Sequence, residues 1–189
     1  MTMNKIAVLF SGKGSNFAHI VHTLHHKEIE VVVAITDNPE AGGISIAKEA
    51  GIPLKIIDSK TFESREAFDS KVVAYLKEYQ VELTVLAGFM RILTPQFTEQ
   101  IKAINLHPSL LPKHKGLNAI KKSYNDTSLQ GGVSVHWVTS ELDGGKLIIQ
   151  KSISKKDLTF EAYDKKIRQI EKEALVEGIR RVLFPKISA

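Results

Sequence analysis

Short apolar runs separated by amphipathic stretches mark the first half of the chain. "KIAVLF" (Lys5–Phe10) is an apolar run that stops at the turn "SGKGSN", and a helical stretch follows from about Ser15 to His25. "EVVVAIT" (Glu30–Thr36) predicts a second strand closed by "DNPEAGG"; helix-like "ISIAKEAG" ends at Gly51 and leads into "PLKIID". "SREAFDSKVVAYLKEYQ" (Ser64–Gln80) carries Ala67, Phe68, Val72, Tyr75 and Leu76 at helical spacing, with Ser64 placed to cap the helix start. "VELTVLAGF" (Val81–Phe89) predicts another strand, Thr94-Pro95 a cap followed by proline at the first helical position, and "AINLH" the next strand.

The second half changes rhythm. "GGVSVHWV" and "GKLIIQKSI" flank "TSELDGG", which predicts two strands joined by a glycine-rich loop, and a last helix runs from about Thr159 to Leu183. Strands apolar on both faces, alternating with helices, predict an α/β fold with a doubly wound, mostly parallel sheet covered on both sides. To it are added a C-terminal antiparallel hairpin and a final helix. In such sheets ligands bind beyond the carboxyl ends of the strands.

Composition narrows the function classes. At 189 residues the chain suits one domain, and 43% hydrophobic with 25% charged residues is ordinary for a globular protein. No apolar run approaches the roughly 18 residues of a membrane span, and the start lacks the apolar core of a secretory signal. Cysteine is absent, which excludes disulfides and thiolate metal sites. The expected setting is the cytoplasm. A net charge of +5 comes from dispersed lysines, not from a basic block interleaved with aromatics, so small anionic metabolites are the expected partners and nucleic acid is not.

Four segments carry candidate chemistry. In "SGKGSN", Gly12 and Gly14 stand between a strand and a helix, where backbone N–H groups and a helix start hold phosphate. The segment is neither a Walker loop nor a full GxGxxG, since Phe17 occupies the third-glycine position, and a plain tight turn wants the same glycines. "AGFMRILTP" (Ala87–Pro95) sets Met90, Arg91, Ile92 and Leu93 just past a buried strand, where they line a pocket for a flat ligand or pack the next helix start. In "INLHPSLLP", Asn105 and His107 are two apart and share a strand face, and Pro108 cannot continue the ladder. An amide donor beside an imidazole at a strand's rim suits oxyanion stabilisation and acid–base work, and it equally suits a polar pair capping a strand end. Asp143, in "ELDGGK", is a carboxylate on a flexible loop able to orient such a histidine, in a dipeptide that is also an ordinary turn signal. His19, His22 and His26 fall along one side of the first helix and read as a solvated face, with no acidic partner for a metal.

"SGKGSN", "SREAFD", "LAGFMRILTP", "NLHPSLLP" and "SVHWVTSELDGG" occur in the order and spacing of the phosphoribosylglycinamide formyltransferases, and the resemblance covers nearly the whole chain. "HPSLLP" alone marks the wider group of formyltetrahydrofolate-using enzymes; "AGFMRIL" with "GSN" and "SREA" narrows it. The resemblance implies a Rossmann-like formyltransferase fold, a single domain over 1–189. A phosphate- and substrate-binding half extends to about residue 100, and a catalytic and folate-binding half covers about 101–189. It implies a folate site between the two. By position, Asn105, His107 and Asp143 match the catalytic set, and Gly14, Ser15 and Asn16 the phosphate side of glycinamide ribonucleotide. Arg65, Met90, Arg91, Ile92 and Leu93 match the formylfolate site, and Glu171, in "RQIEKEA", an acidic residue holding the ribose or amine. The sequence departs from the family pattern at Asn118, where many members carry histidine.

The implied reaction moves the formyl group of 10-formyltetrahydrofolate, a co-substrate, to the amine of glycinamide ribonucleotide in purine synthesis, with no metal, in a monomer or homodimer. Asn105 would donate to the tetrahedral oxyanion while His107, charged or oriented by Asp143, assists. Formyltetrahydrofolate hydrolysis, methionyl-tRNA formylation and a non-catalytic nucleotide-binding module are the competing readings. The first two come with further domains in their own families, and the last leaves "NLHPSLLP" unexplained.

Overall fold

The computed structural model describes residues 2–185. By internal packing the chain divides into two compact units, one ending at Ile104 and the other beginning at Asn105. The class is α/β: seven strands, mostly parallel, with one antiparallel pair and a long last helix.

The first unit runs β1 (Asn4–Phe10), α1 (Ser15–Leu24), β2 (Ile29–Thr36), α2 (Gly43–Glu49), β3 (Leu54–Ile56), α3 (Arg65–Glu78), β4 (Leu83–Leu86) and α4 (Pro95–Thr98), with a 3-10 turn at Ser59–Thr61. Its strands are ordered β3-β2-β1-β4, and each adjacent pair is parallel. β1 is flanked on both sides, and Ile6, Ala7, Val8, Leu9 and Phe10 are fully buried, which explains why the run is apolar on both faces. The helices begin where their caps permit. Ser64 Oγ accepts from the Ala67 amide at 3.0 Å to open α3. Pro95 opens α4, where a missing N–H costs nothing.

Two elements end earlier than the periodicity predicts. β4 stops at Leu86, because Gly88 at φ 77° turns the chain out of the strand. α1 stops at Leu24: His25 is extended and His26 left-handed at φ 60°, so His26 leaves the helix face that His19 and His22 share.

β5 (Ala103–His107) crosses the boundary between the units. The second unit continues with α5 (Ala119–Asn125), β6 (Gln130–Trp137), β7 (Leu147–Ser154) and α6 (Phe160–Leu183). α5 is absent from the sequence reading, since Ala119 and Ile120 are its buried apolar residues and so short a run shows no period. β6 and β7 are antiparallel, with a register shift between Val135 and His136 that leaves Ile148 as an extra residue on β7. α6 opens with Thr159 Oγ1 accepting from the Ala162 amide at 3.1 Å. It buries Tyr163, Ile167, Ala174, Leu175 and Ile179, burial worth about 1.5–3 kcal/mol for each large aliphatic side chain. Its packing on β6 is close: a Cβ on Gly178 would stand 2.9 Å from Val135.

Among the described residues no helix is long and apolar enough to cross a membrane.

Candidate active site

In the first unit the strand order reverses at β1, which leads to β2 on one side and has β4 on the other. The carboxyl ends of β1 and β4 therefore flank a switch point, the place where open α/β sheets bind ligands. The loops after these strands meet there. The Ser11 amide donates to the Gly88 carbonyl at 3.0 Å, and the Met90 amide to Ser11 Oγ at 2.9 Å. Ser11 Oγ in turn donates to Asp37 Oδ1 at 2.6 Å, just past β2.

The sequence candidates of this unit take distinct positions. Gly14 caps α1 at φ 80°, a left-handed backbone, and a Cβ there would lie 2.7 Å from the Gly43 Cα. Glycine is thus required twice over at Gly14, by conformation and by close approach. Ser15 is exposed and Asn16 half-buried on the first turn of α1. Met90 and Ile92 are exposed apolar side chains at 68% and 54%, whereas Leu93 is buried. Arg91 lies with its guanidinium 4.1 Å from the centre of the Phe68 ring and 4.0 Å from the Asp37 carboxylate. Asp69 pins the end of this loop by accepting from both the amide and hydroxyl of Thr94 at 2.7 Å. Arg65 is exposed at the first position of α3, one turn before Phe68.

In the second unit the structure brings Asn105, His107 and Asp143 into one cluster and adds His136 to it. β5 ends at His107 because Pro108 follows, so Asn105 and His107 stand at the strand's carboxyl end. His107 Nδ1 is 3.5 Å from Asp143 Oδ2. His136 Nε2 is 3.6 Å from Asp143 Oδ1 and 3.3 Å from Asn105 Nδ2. His107, His136 and Asp143 are all buried, at 6%, 2% and 8% exposure. Asp143 is held against the cluster by backbone: its own φ is 52°, in the left-handed region that aspartate tolerates, and Oδ2 accepts from the Gly116 amide at 2.8 Å. Burial pushes the Asp143 carboxyl upward. His136, the Gly116 amide and the nearby His107 outweigh that effect and hold it below its usual range.

Each histidine has a backbone acceptor that orients it. His107 Nε2 donates to the His114 carbonyl at 2.8 Å, and His136 Nδ1 to the Trp137 carbonyl at 2.9 Å. The loop after β5 is tied down by Ser134, whose Oγ accepts from the Leu111 amide at 3.0 Å and donates to the Ser109 carbonyl at 2.7 Å. The Leu111–Pro112 peptide in this loop is cis.

His136 is the residue that sequence reasoning missed. The signal was present: Ser134 and His136 are two apart on a strand whose other face is Val133 and Val135, the same pattern that singled out Asn105 and His107. The register shift beside His136 is a bulge of the kind that re-aims side chains next to functional sites.

Glu171 is buried on α6 with the Arg168 guanidinium 3.7 Å away. Asn118 caps α5 at φ 59° with an exposed side chain that makes no capping hydrogen bond. Among the described residues no group of three or more His, Cys, Asp or Glu could hold a metal ion.

Comparison with known proteins identifies the family of the chain. The formyl transferase family model matches residues 4–179. Phosphoribosylglycinamide formyltransferase of Haemophilus influenzae is 39% identical over 155 residues, spanning 80% of this chain and 73% of that protein. The protein of the same name from Escherichia coli is 38% identical over 152 residues, spanning 78% and 72%. The crystal structure of phosphoribosylglycinamide formyltransferase from Campylobacter jejuni superposes with a TM-score of 0.93 at 49% identity, covering 96% of this chain and 99% of that one.

Proposed function

Since the chain belongs to the formyl transferase family, among its phosphoribosylglycinamide formyltransferases, we propose that Asn105, His107 and Asp143 carry the formyl transfer. The acceptor in this reading is the primary amine of 5-phosphoribosylglycinamide, and the formyl donor is 10-formyltetrahydrofolate.

The amine nitrogen attacks the formyl carbon, and the carbonyl oxygen takes up the electron pair as a tetrahedral oxyanion. Asn105, whose Nδ2 points into the buried cluster, donates an N–H to that oxygen. His107 lies between a carbonyl on Nε2 and a carboxylate facing Nδ1, so the ring has an acceptor for each of its N–H groups when charged. With both nitrogens engaged, His107 acts electrostatically on the oxyanion, and the amine proton reaches the leaving folate nitrogen through an ordered water beside Asp143. Collapse of the intermediate breaks the bond between the formyl carbon and that nitrogen. His136, whose Nδ1 donates to the Trp137 carbonyl, turns its Nε2 toward the Asn105 amide at 3.3 Å, with the second Asp143 oxygen 3.6 Å away.

For the first unit we assign Gly14, Ser15 and Asn16 to the substrate phosphate, because the glycine turn opens α1 at the switch point. Met90, Arg91, Ile92 and Leu93, with Arg65, are assigned to the folate. Two exposed apolar side chains, Met90 and Ile92, suit a flat ring system. The Arg91 guanidinium is already committed to Phe68 and Asp37, so this segment offers mainly its backbone and apolar surface. Glu171 is assigned to the substrate ribose or amine.

The observation that carries the reading is a half-buried amide beside two buried imidazoles and a buried carboxylate, at the end of β5, on β6 and in the loop after it. Mixing the protein with 10-formyltetrahydrofolate and following deformylation optically, with and without glycinamide ribonucleotide, tests it. Turnover that depends on the ribonucleotide is expected. Turnover indifferent to it would make the protein a hydrolase, and none in either case would leave only binding.

A further inference from the structure

His107 gives its Nε2–H to one carbonyl, and that carbonyl belongs to a residue with an unusual hold on the rest of its unit. His114 has φ 55°, in the left-handed region that histidine enters more readily than most side chains. Its ring is anchored within the unit. His114 Nε2 donates to Asp126 Oδ2 at 2.7 Å, and Asp126 Oδ1 accepts from Lys155 Nζ at 2.7 Å. Lys155 follows the end of β7 with a side chain only 9% exposed, and it also donates to the carbonyls of Ser123 at 2.6 Å and Asp126 at 3.2 Å, at the end of α5. Burial works against the charge on Asp126. Its bonds to Lys155 and His114 overcome that and hold the carboxyl far below the usual range.

We propose that His114 is a positioning residue, whose ring is anchored by Asp126 and Lys155 so that its carbonyl fixes the orientation of the His107 ring, with Nε2–H on the carbonyl and Nδ1 toward Asp143. The physical reason is a sign rule. A carbonyl can only accept, so the His107 nitrogen facing it must carry a hydrogen, and Nδ1 is then presented to Asp143. If the 113–118 backbone relaxes, that selection is lost, and the ring is free to turn its other nitrogen away from the carboxylate. The same backbone supplies the Gly116 amide that holds Asp143, so one anchored loop sets both members of the pair. The inference rests on the reading of His107 as catalytic.

His114→Leu removes the ring donor, while His114→Gln keeps an N–H at about the reach of Nε2. Steady-state kinetics with both substrates should show kcat reduced roughly tenfold to a hundredfold in His114→Leu, the cost of a slightly misplaced catalytic group, with neither KM raised in proportion. In ¹⁵N-histidine-labelled protein the hydrogen-bonded Nε2–H signal of His107 should be lost in His114→Leu and present in His114→Gln, which should recover most of the turnover. Wild-type kcat in a folded His114→Leu, equal losses in the two variants, or a loss of kcat with the His107 signal intact would each overturn the proposal. Should His114→Leu not fold, Asp126→Asn decides by the same two readouts, and unchanged values there overturn it. His107→Asn separates the two readings. If it is inactive while His114→Leu turns over normally, only the positioning role falls; if it is fully active, the catalytic reading falls first.

Discussion

Asn105 is half-buried, and its amide has one close polar neighbour in the cluster, the His136 ring at 3.3 Å. An amide so placed has an N–H to spare for a developing negative charge, and removal of one such donor lowers turnover by about 10²–10³. Asn105→Ala should therefore lose activity on that order in the deformylation assay while its thermal unfolding stays near wild type. Retention of most activity would remove Asn105 from the mechanism. Ser134 acts differently, because it touches no reacting group. Fully buried, it satisfies the Leu111 amide and the Ser109 carbonyl at once. Ser134→Ala leaves both groups without that partner and should cost about 1–3 kcal/mol, read from urea unfolding.

Among the elements, β6 has the narrowest tolerances. A Cβ on Gly131 would fall 1.8 Å from the Tyr163 hydroxyl oxygen of α6, and the glycine there is what lets α6 lie close to the strand. Gly131→Ala should destabilise by about 1–3 kcal/mol or more through overpacking. Adding Tyr163→Phe, which deletes the clashing oxygen, should return part of the loss in the double variant. Strictly additive losses would place the strain elsewhere. The polar face of β6 was open to reading from sequence, since Ser134 and His136 recur two apart among valines. What each does there was not, because one reaches the loop after β5 and the other reaches Asp143 across the β6–β7 connection. α5 escaped sequence reading for a related reason: seven residues with two adjacent buried apolar positions carry no helical period, and contacts elsewhere in the unit stabilise it.

At the scale of the molecule, three carboxylates with lowered affinity for protons, Asp126, Asp143 and Glu177, belong to the second unit. For Glu177 the hydrogen bond from Lys151 is the leading cause. A carboxyl whose folded pKa is depressed contributes stability that is complete above its unfolded pKa and is lost as pH falls through the folded value. Stability of the second unit should therefore hold at neutral pH and decline once pH drops below about 4. The single tryptophan, Trp137, lies on β6 of that unit and reports on it directly. Urea unfolding followed by Trp137 fluorescence should show a lower midpoint at pH 3 than at pH 7, and Asp126→Asn should narrow the difference. Equal midpoints at the two pH values would refute the assignment.

The sequence by itself determined the α/β class, the positions of the strands and the helix starts at Ser64, Pro95 and Thr159, because these depend on local periodicity and on caps that each segment carries within itself. It also determined that Asn105 and His107 share a face and stop together, since alternation along a strand and a following proline are local facts. Only the tertiary structure decided that Asp143, which the sequence had singled out, meets His107, that His136 joins them, and that the His114 carbonyl and the Gly116 amide bond to His107 and Asp143. Those partners lie 7 to 38 residues from Asn105 or His107 along the chain, at separations where no local pattern records which side chain meets which. Their contacts exist only once β5, β6 and the loops that follow them have packed.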